Sequence, residues 1–118
     1  MNMALLIAGL IAVESGGNMS AVGDSGRAHG CLQIHPVMVQ EANRIVGEER
    51  YTLEDRASRR RSVEIAVIYF DHYGRRRPPV MDRWEYFARI WNGGPHGHRK
   101  PATARYWRKV QAAIGGNR

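Results

Sequence analysis

A chain of 118 residues and 13.4 kDa has room for one compact domain, and its 43% apolar and 25% charged residues are those of a globular protein, not a disordered one. A lone cysteine, Cys31, excludes an intrachain disulfide and any metal centre built on several thiolates. The net charge of +7 rests on 16 arginines and two lysines; guanidinium groups pair bidentately with carboxylate and phosphate, so an anionic polymer is the implied partner, of a kind that charge alone does not select.

Ala4 to Val13 is an unbroken run of small and apolar residues. It is too short for a membrane span, which needs ~20 residues. It also lacks the basic start and the cleavage site of a signal peptide. The run predicts a buried core helix over Met3 to Ser15, apolar on all sides and stopped by Gly16-Gly17. Asn18 to Ile34 carries Gly23, Gly26 and Gly30 among short polar residues, which predicts a turn-rich lobe with room for a small hairpin. Pro36 opens a second helix that runs to Val46 before Gly47. Ser58 or Ser62 caps a third through Tyr73, with Val63, Ala66, Val67 and Phe70 at helical spacing and Ile65 and Tyr69 beside them. Arg75-Arg76-Arg77-Pro78-Pro79 breaks the chain. Asp82 to Trp91 reads as a fourth helix with Trp84, Phe87, Ala88 and Trp91 along one side, and Pro101 to Ile114 as the last. The expected class is α+β and mostly helical, one domain over 1–118 with a small turn-rich or β lobe.

Glu14 is the first candidate for chemistry. It follows ten apolar residues and precedes two glycines. Partial desolvation and the negative end of a helix dipole both raise a carboxyl pKa, and a carboxyl kept protonated near neutral pH can protonate a glycosidic oxygen. Position alone fits a surface glutamate at a helix end equally well.

Four segments supply context. Glu14-Ser15-Gly16-Gly17-Asn18 matches an E-S-x-x-N pattern and Gly30-Cys31-Leu32-Gln33-Ile34 a G-L-M-Q-I pattern. Ala88-Arg89-Ile90-Trp91-Asn92-Gly93-Gly94 matches A-x-x-Y-N-x-G, with Trp for Tyr. Ala102 to Val110 approaches E-T-x-x-Y-V-x-K-V, with Ala for Glu. In this order the segments resemble those of goose-type lysozymes and the related lytic transglycosylase domains, across residues 14–110.

The resemblance implies a lysozyme-like fold, with the Glu14 helix central and the Asn18–Ile34 lobe as one wall of a groove. It implies cleavage of the β-1,4 bond between N-acetylmuramic acid and N-acetylglucosamine in peptidoglycan, with Glu14 as general acid. Ser15 would orient Glu14, and Gln33 with the backbone around Leu32 and Ile34 would contact N-acetyl groups. Trp91 would offer a stacking face, Asn92 would bind a sugar at the cleavage point, and Tyr106 would hydrogen-bond the Glu14 carboxyl. Turn or cap duty for Gln33 and Asn92, and core packing for Tyr106, account for the same residues without the family.

What attacks the sugar is a separate question. Gly23-Asp24-Ser25-Gly26 resembles the goose-type G-D-x-G, whose aspartate positions a water, which makes Asp24 the second catalytic candidate of a hydrolase. Asp-Ser-Gly is also a common turn sequence. His35 stands where those lysozymes place a further aspartate, and lytic transglycosylases work with the glutamate alone, the muramic 6-hydroxyl attacking to give a 1,6-anhydro sugar. The expectation is a transglycosylase, with a hydrolytic muramidase as the alternative.

Arg59-Arg60-Arg61 and Arg75-Arg76-Arg77 read as solvated faces able to grip an anionic wall, and His96-Gly97-His98 as a flexible polar loop. A basic nucleic-acid-binding protein is the rival class; it is disfavoured because no helix-turn-helix, zinc or RNP-like signature is present. A wall-binding domain without activity is disfavoured by the retained Glu14, Gln33, Asn92 and Tyr106. The remaining expectations are no cofactor, no metal, no nucleic acid and no membrane span, in a monomer acting on peptidoglycan at the bacterial cell wall or periplasm.

Overall fold

The computed structural model describes residues 1–115, which form five α-helices, one two-stranded sheet and three short 3-10 turns. The chain divides into two compact units: Met1–Val13 with the stretch from Tyr73 onward, here the helical unit, and Glu14–His72, here the lobed unit. Helix α1 (Met3–Ser15) crosses the division and delivers Glu14 and Ser15 to the lobed unit. Among the described residues no helix is long and apolar enough to cross a membrane.

In the helical unit α1 buries Leu6, Ile7, Gly9, Leu10 and Ile11. The expected core helix, apolar on all sides, is buried on one side only. Ala4, Leu5, Ala8 and Ala12 are exposed one turn apart. Three of these four are alanines, whose exposure costs little, so a helix without polar positions can still be one-sided. Gly9 leaves space for α5 (Pro101–Gly115), whose Ile114 Cγ1 would stand 2.8 Å from a Cβ at that position.

Helix α4 (Arg83–Gly93) starts where Asp82 Oδ2 accepts the Glu85 N–H at 2.9 Å. Its buried face is Tyr86, Phe87, Ala88 and Ile90. The expected stripe is therefore turned by about one residue, and Trp84 and Trp91 are only half-buried. Tyr86 enters the core because its hydroxyl donates to the Tyr73 carbonyl at 2.8 Å, so the polar tip is satisfied. Helix α5 buries Thr103, Tyr106 and Val110. Thr103 Oγ1 accepts from Arg89 Nε at 2.9 Å and donates to the Gly97 carbonyl at 2.5 Å, tying α4, α5 and the 3-10 turn Gly97–Arg99 together.

The lobed unit opens with the predicted hairpin, β1 (Val22–Gly23) antiparallel to β2 (Ala28–His29), in the register Val22↔His29 and Gly23↔Ala28. A single bridge, His29↔Ile34, extends it. Helix α2 (Pro36–Val46) has Pro at its start and ends at Gly47, which takes the left-handed conformation and donates to the Asn43 carbonyl at 2.9 Å. Helix α3 (Arg59–Tyr73) is capped by Ser58, whose Oγ accepts from Arg61 N at 3.1 Å. Ser62 is buried and donates instead to the Arg56 carbonyl at 3.2 Å. The α3 core residues are Ile65, Ala66, Tyr69 and Phe70, while Val63 and Val67 are half-buried, again a small rotation of the expected face.

Much of the lobed unit is irregular backbone, and its carbonyls are met by side chains. Arg56, 7% exposed, donates to Leu53, Arg27 and Ile34 carbonyls at 3.0, 2.9 and 3.1 Å. Asn43 donates to the Tyr51 carbonyl at 2.9 Å and accepts the Arg50 and Tyr51 N–H groups at 3.1 and 2.9 Å. The 3-10 turn Leu53–Ala57, which the sequence pattern did not predict, is what brings Arg56 to these carbonyls.

Candidate active site

Five of the eight candidate residues lie in the lobed unit: Glu14, Ser15, Asp24, Gln33 and Ile34. Glu14 is half-buried at the last turn of α1. Beside it Ser15 Oγ donates to the Cys31 carbonyl at 2.7 Å and accepts the Gly17 N–H at 3.1 Å. These two bonds hold the end of α1 and the following turn against the Cys31–Ile34 loop.

The side-chain amide of Gln33 is engaged within the lobe. Both protons of its side-chain amide go to backbone carbonyls, Ala21 at 3.1 Å and Gly30 at 3.0 Å. Only Oε1 is left to accept from another molecule, and it lies against Gly23, where a Cβ would collide with it. Ile34 is 1% exposed. Its N–H donates to His29 O at 3.0 Å, and its carbonyl accepts from both His29 N and Arg56 Nη1. The Ile34 backbone is therefore occupied inside the lobe.

Asp24 sits in the hairpin turn. Asp24, Ser25 and Gln33 have φ of 49°, 57° and 52°, the three non-glycine residues with positive φ among those described. All three fall in the segment the sequence assigned to the site, and strain of this kind persists where surrounding structure over-determines it. Asp24 is half exposed and meets two side chains: Oδ2 lies 3.2 Å from His35 Nε2, and Oδ1 3.4 Å from Arg27 Nη2. His35, which sequence comparison counted as a missing carboxylate, proves to be the partner of Asp24. No spacing rule links positions 24 and 35; the hairpin brings them together.

The other three candidates belong to the helical unit. Trp91 and Asn92 occupy the last turn of α4, Trp91 half-buried and Asn92 exposed. Tyr106 is on the buried face of α5, 8% exposed. The expected flexible loop at His96–His98 is instead packed. His98 lies edge-on to Tyr86, ring centroids 5.1 Å apart, with Nδ1 buried and without a hydrogen-bond partner. Burial, with Arg99, His96 and Arg89 nearby, holds its pKa below the usual histidine value. Among the described residues no group of three His, Cys, Asp or Glu is placed to hold a metal ion.

A cavity of ≈ 340 Å³ opens within the lobed unit between Met19–Ala21, His29–Gly30 and the Leu53–Ala57 turn. None of the eight candidates lines it.

The chain belongs to the transglycosylase SLT domain family, whose model matches residues 1–114. It is also similar to Lysozyme 1 of Crassostrea virginica, 54% identical over 37 residues, which is 31% of this chain and 20% of that protein. A Lysozyme of Magallana gigas is 65% identical over 26 residues, 22% of this chain and 19% of that protein. The chain therefore matches about a fifth of the length of these curated relatives. No solved structure gives a significant match.

Proposed function

We propose that this chain cuts the β-1,4 bond between N-acetylmuramic acid and N-acetylglucosamine in bacterial peptidoglycan, with Glu14 as general acid and base. Glu14 gives its proton to the glycosidic oxygen as the C–O bond breaks. The resulting carboxylate takes the proton of the muramic 6-hydroxyl as that oxygen attacks the anomeric carbon. A 1,6-anhydro sugar forms and Glu14 is again protonated, so one carboxyl suffices. The observation that carries this reading is the bond from Ser15 Oγ to Cys31 O, which holds the half-buried Glu14 end of α1 on the loop that leads to Gln33. Membership of the transglycosylase family supports the same chemistry. Ser15 positions the acid, Gln33 Oε1 accepts from an N-acetyl N–H, and Ile34 shapes the lobe from within. Trp91 and Asn92 contribute a stacking face and an amide for sugars, and Tyr106 a phenol for a carboxyl.

Hydrolysis is a second reading with its own observation. Asp24 is fixed between His35 and Arg27, and a carboxylate–imidazole pair of this kind can hold a water and accept its proton. The products would then carry reducing ends.

Glu14→Gln keeps the shape of the side chain and removes the acid. On purified sacculi we expect a loss of at least ~10²-fold in muropeptide release. Undiminished release would end the assignment. In the wild-type digest, products lighter by one water than reducing muropeptides mark transglycosylation. Reducing products that disappear in Asp24→Asn mark hydrolysis.

A further inference from the structure

The two units differ in charge far more than the net +7 suggests. Of the 18 Lys and Arg, 11 lie in 1–13 and 73–118 against two acids, Asp82 and Glu85; residues 14–72 hold seven against nine acids. In the lobed unit the arginines are largely neutralised: Arg27, Arg44, Arg50, Arg60 and Arg61 each reach a carboxylate. In the helical unit one ion pair is found among the described residues, Arg89 to Glu85 at 2.7 Å. The Arg59–Arg61 run is thus mostly paired off through Glu64, and the unmatched charge lies elsewhere.

It is most ordered on α5. Arg105, Arg108 and Lys109 are exposed, three and four residues apart, on the side opposite buried Thr103, Tyr106 and Val110. Helix α5 has no acidic residue to offset them. Holding like charges along one helix face is unfavourable, so without a partner the arrangement costs stability.

We propose that this α5 face is a docking surface for the anionic peptides of the peptidoglycan polymer, gripping their carboxylates. The proposal rests on peptidoglycan being the substrate. The apolar side of α5 is already used in the core, and the exposed side adds only small residues such as Ala102 and Ala112. It therefore presents charge to a hydrated polymer and has no apolar edge to enter a bilayer. Of the two aromatic residues on α5, Tyr106 is buried and Trp107 half-buried, so the helix offers no fully exposed ring for base stacking, as a single-strand nucleic-acid surface would. Arginine suits carboxylate, which it meets with two parallel hydrogen bonds.

The test is Arg105→Ala/Arg108→Ala/Lys109→Ala against wild type, on purified sacculi from 50 to 500 mM NaCl, following sedimentation and turnover. Near physiological salt the triple variant should bind ~10-fold more weakly and show a KM raised by a similar factor, with kcat unchanged. The difference should vanish at the highest salt, where the Debye length falls to roughly 4–5 Å. Arg60→Ala/Arg61→Ala, which removes already paired charges, should match wild type. Equal KM for triple variant and wild type at every salt would overturn the proposal, as would tighter wild-type binding to duplex DNA than to sacculi. Wild-type protein that leaves sacculi uncut would remove the substrate assignment beneath it, visible before any variant is compared.

Discussion

The helical and lobed units reach order by different means. In the helical unit, helices meet through small residues and apolar faces, as where Gly9 admits Ile114 and Val110 and where Gly93 approaches Thr103. In the lobed unit a two-residue hairpin cannot satisfy its own loops, so Arg56, Asn43, Gln33 and Ser15 reach across to backbone carbonyls and N–H groups. Apolar packing is spread over many atoms and tolerates small changes. A polar staple depends on a few directed bonds and fails abruptly.

The same substitution in the two units sharpens that contrast most. Gly30→Ala places a Cβ on the Arg56 carbonyl oxygen and asks alanine to adopt φ +85°, so it should cost at least ~3 kcal/mol in urea unfolding. Gly9→Ala meets side-chain atoms of Ile114 and Val110 and no backbone, in a helical conformation that alanine adopts without strain, and should cost ~1–2 kcal/mol. Equal losses would mean the units are not held by different forces. Next, Arg56→Met takes a donor from three carbonyls, of which that of Ile34 keeps the His29 N–H, and should cost ~1–3 kcal/mol, most of it as loosening of the Arg27–Ile34 fold. Protection of those amides from hydrogen exchange reports it directly; unchanged protection would show that the staple is dispensable.

The smallest effect is in the helical unit and depends on pH. The folded state holds His98 below its ordinary 6.5, so the unfolded chain binds the extra proton first as pH falls. Stability should therefore be full above 6.5 and drop as pH falls from 6.5 toward the lower folded value. His98→Leu removes the unpartnered Nδ1, and its melting temperature should stay within a few degrees of wild type at pH 7.5. The variant should lose less stability than wild type between pH 6.5 and 5. Parallel curves would assign the acid loss to other groups.

Legibility in the sequence followed the same division. The five helices were readable because Gly16-Gly17, Pro36, Gly47, Ser58 and Asp82 are local signals for ends, and helical spacing needs no distant partner. Which face would be buried was less readable. On α4 Tyr86 outranks Trp84 only because Tyr73, from another element, offers its hydroxyl a carbonyl. The lobed unit was readable as turns and little more. Arg56 bonds residues 29 and 22 positions away, and Asp24 meets His35 across a hairpin. Such pairings depend on chain reversal, and periodicity carries no trace of them. At the site, residue identities were legible from motif context. The internal use of the Gln33 amide and of the Ile34 backbone was not, because both bonds are completed by carbonyls elsewhere in the lobe.

Cys31 turns the lobed unit into its own recorder. Its side chain is 0% exposed, and burial pushes the thiol pKa up against the opposing pull of Arg59 and nearby hydrogen bonds. A thiol so placed ignores oxidants and alkylating reagents until the loop around it lifts. With no second cysteine in the chain, each labelled molecule counts one opening beside Ser15, so the rate of labelling times how often the Glu14 end of its helix comes loose.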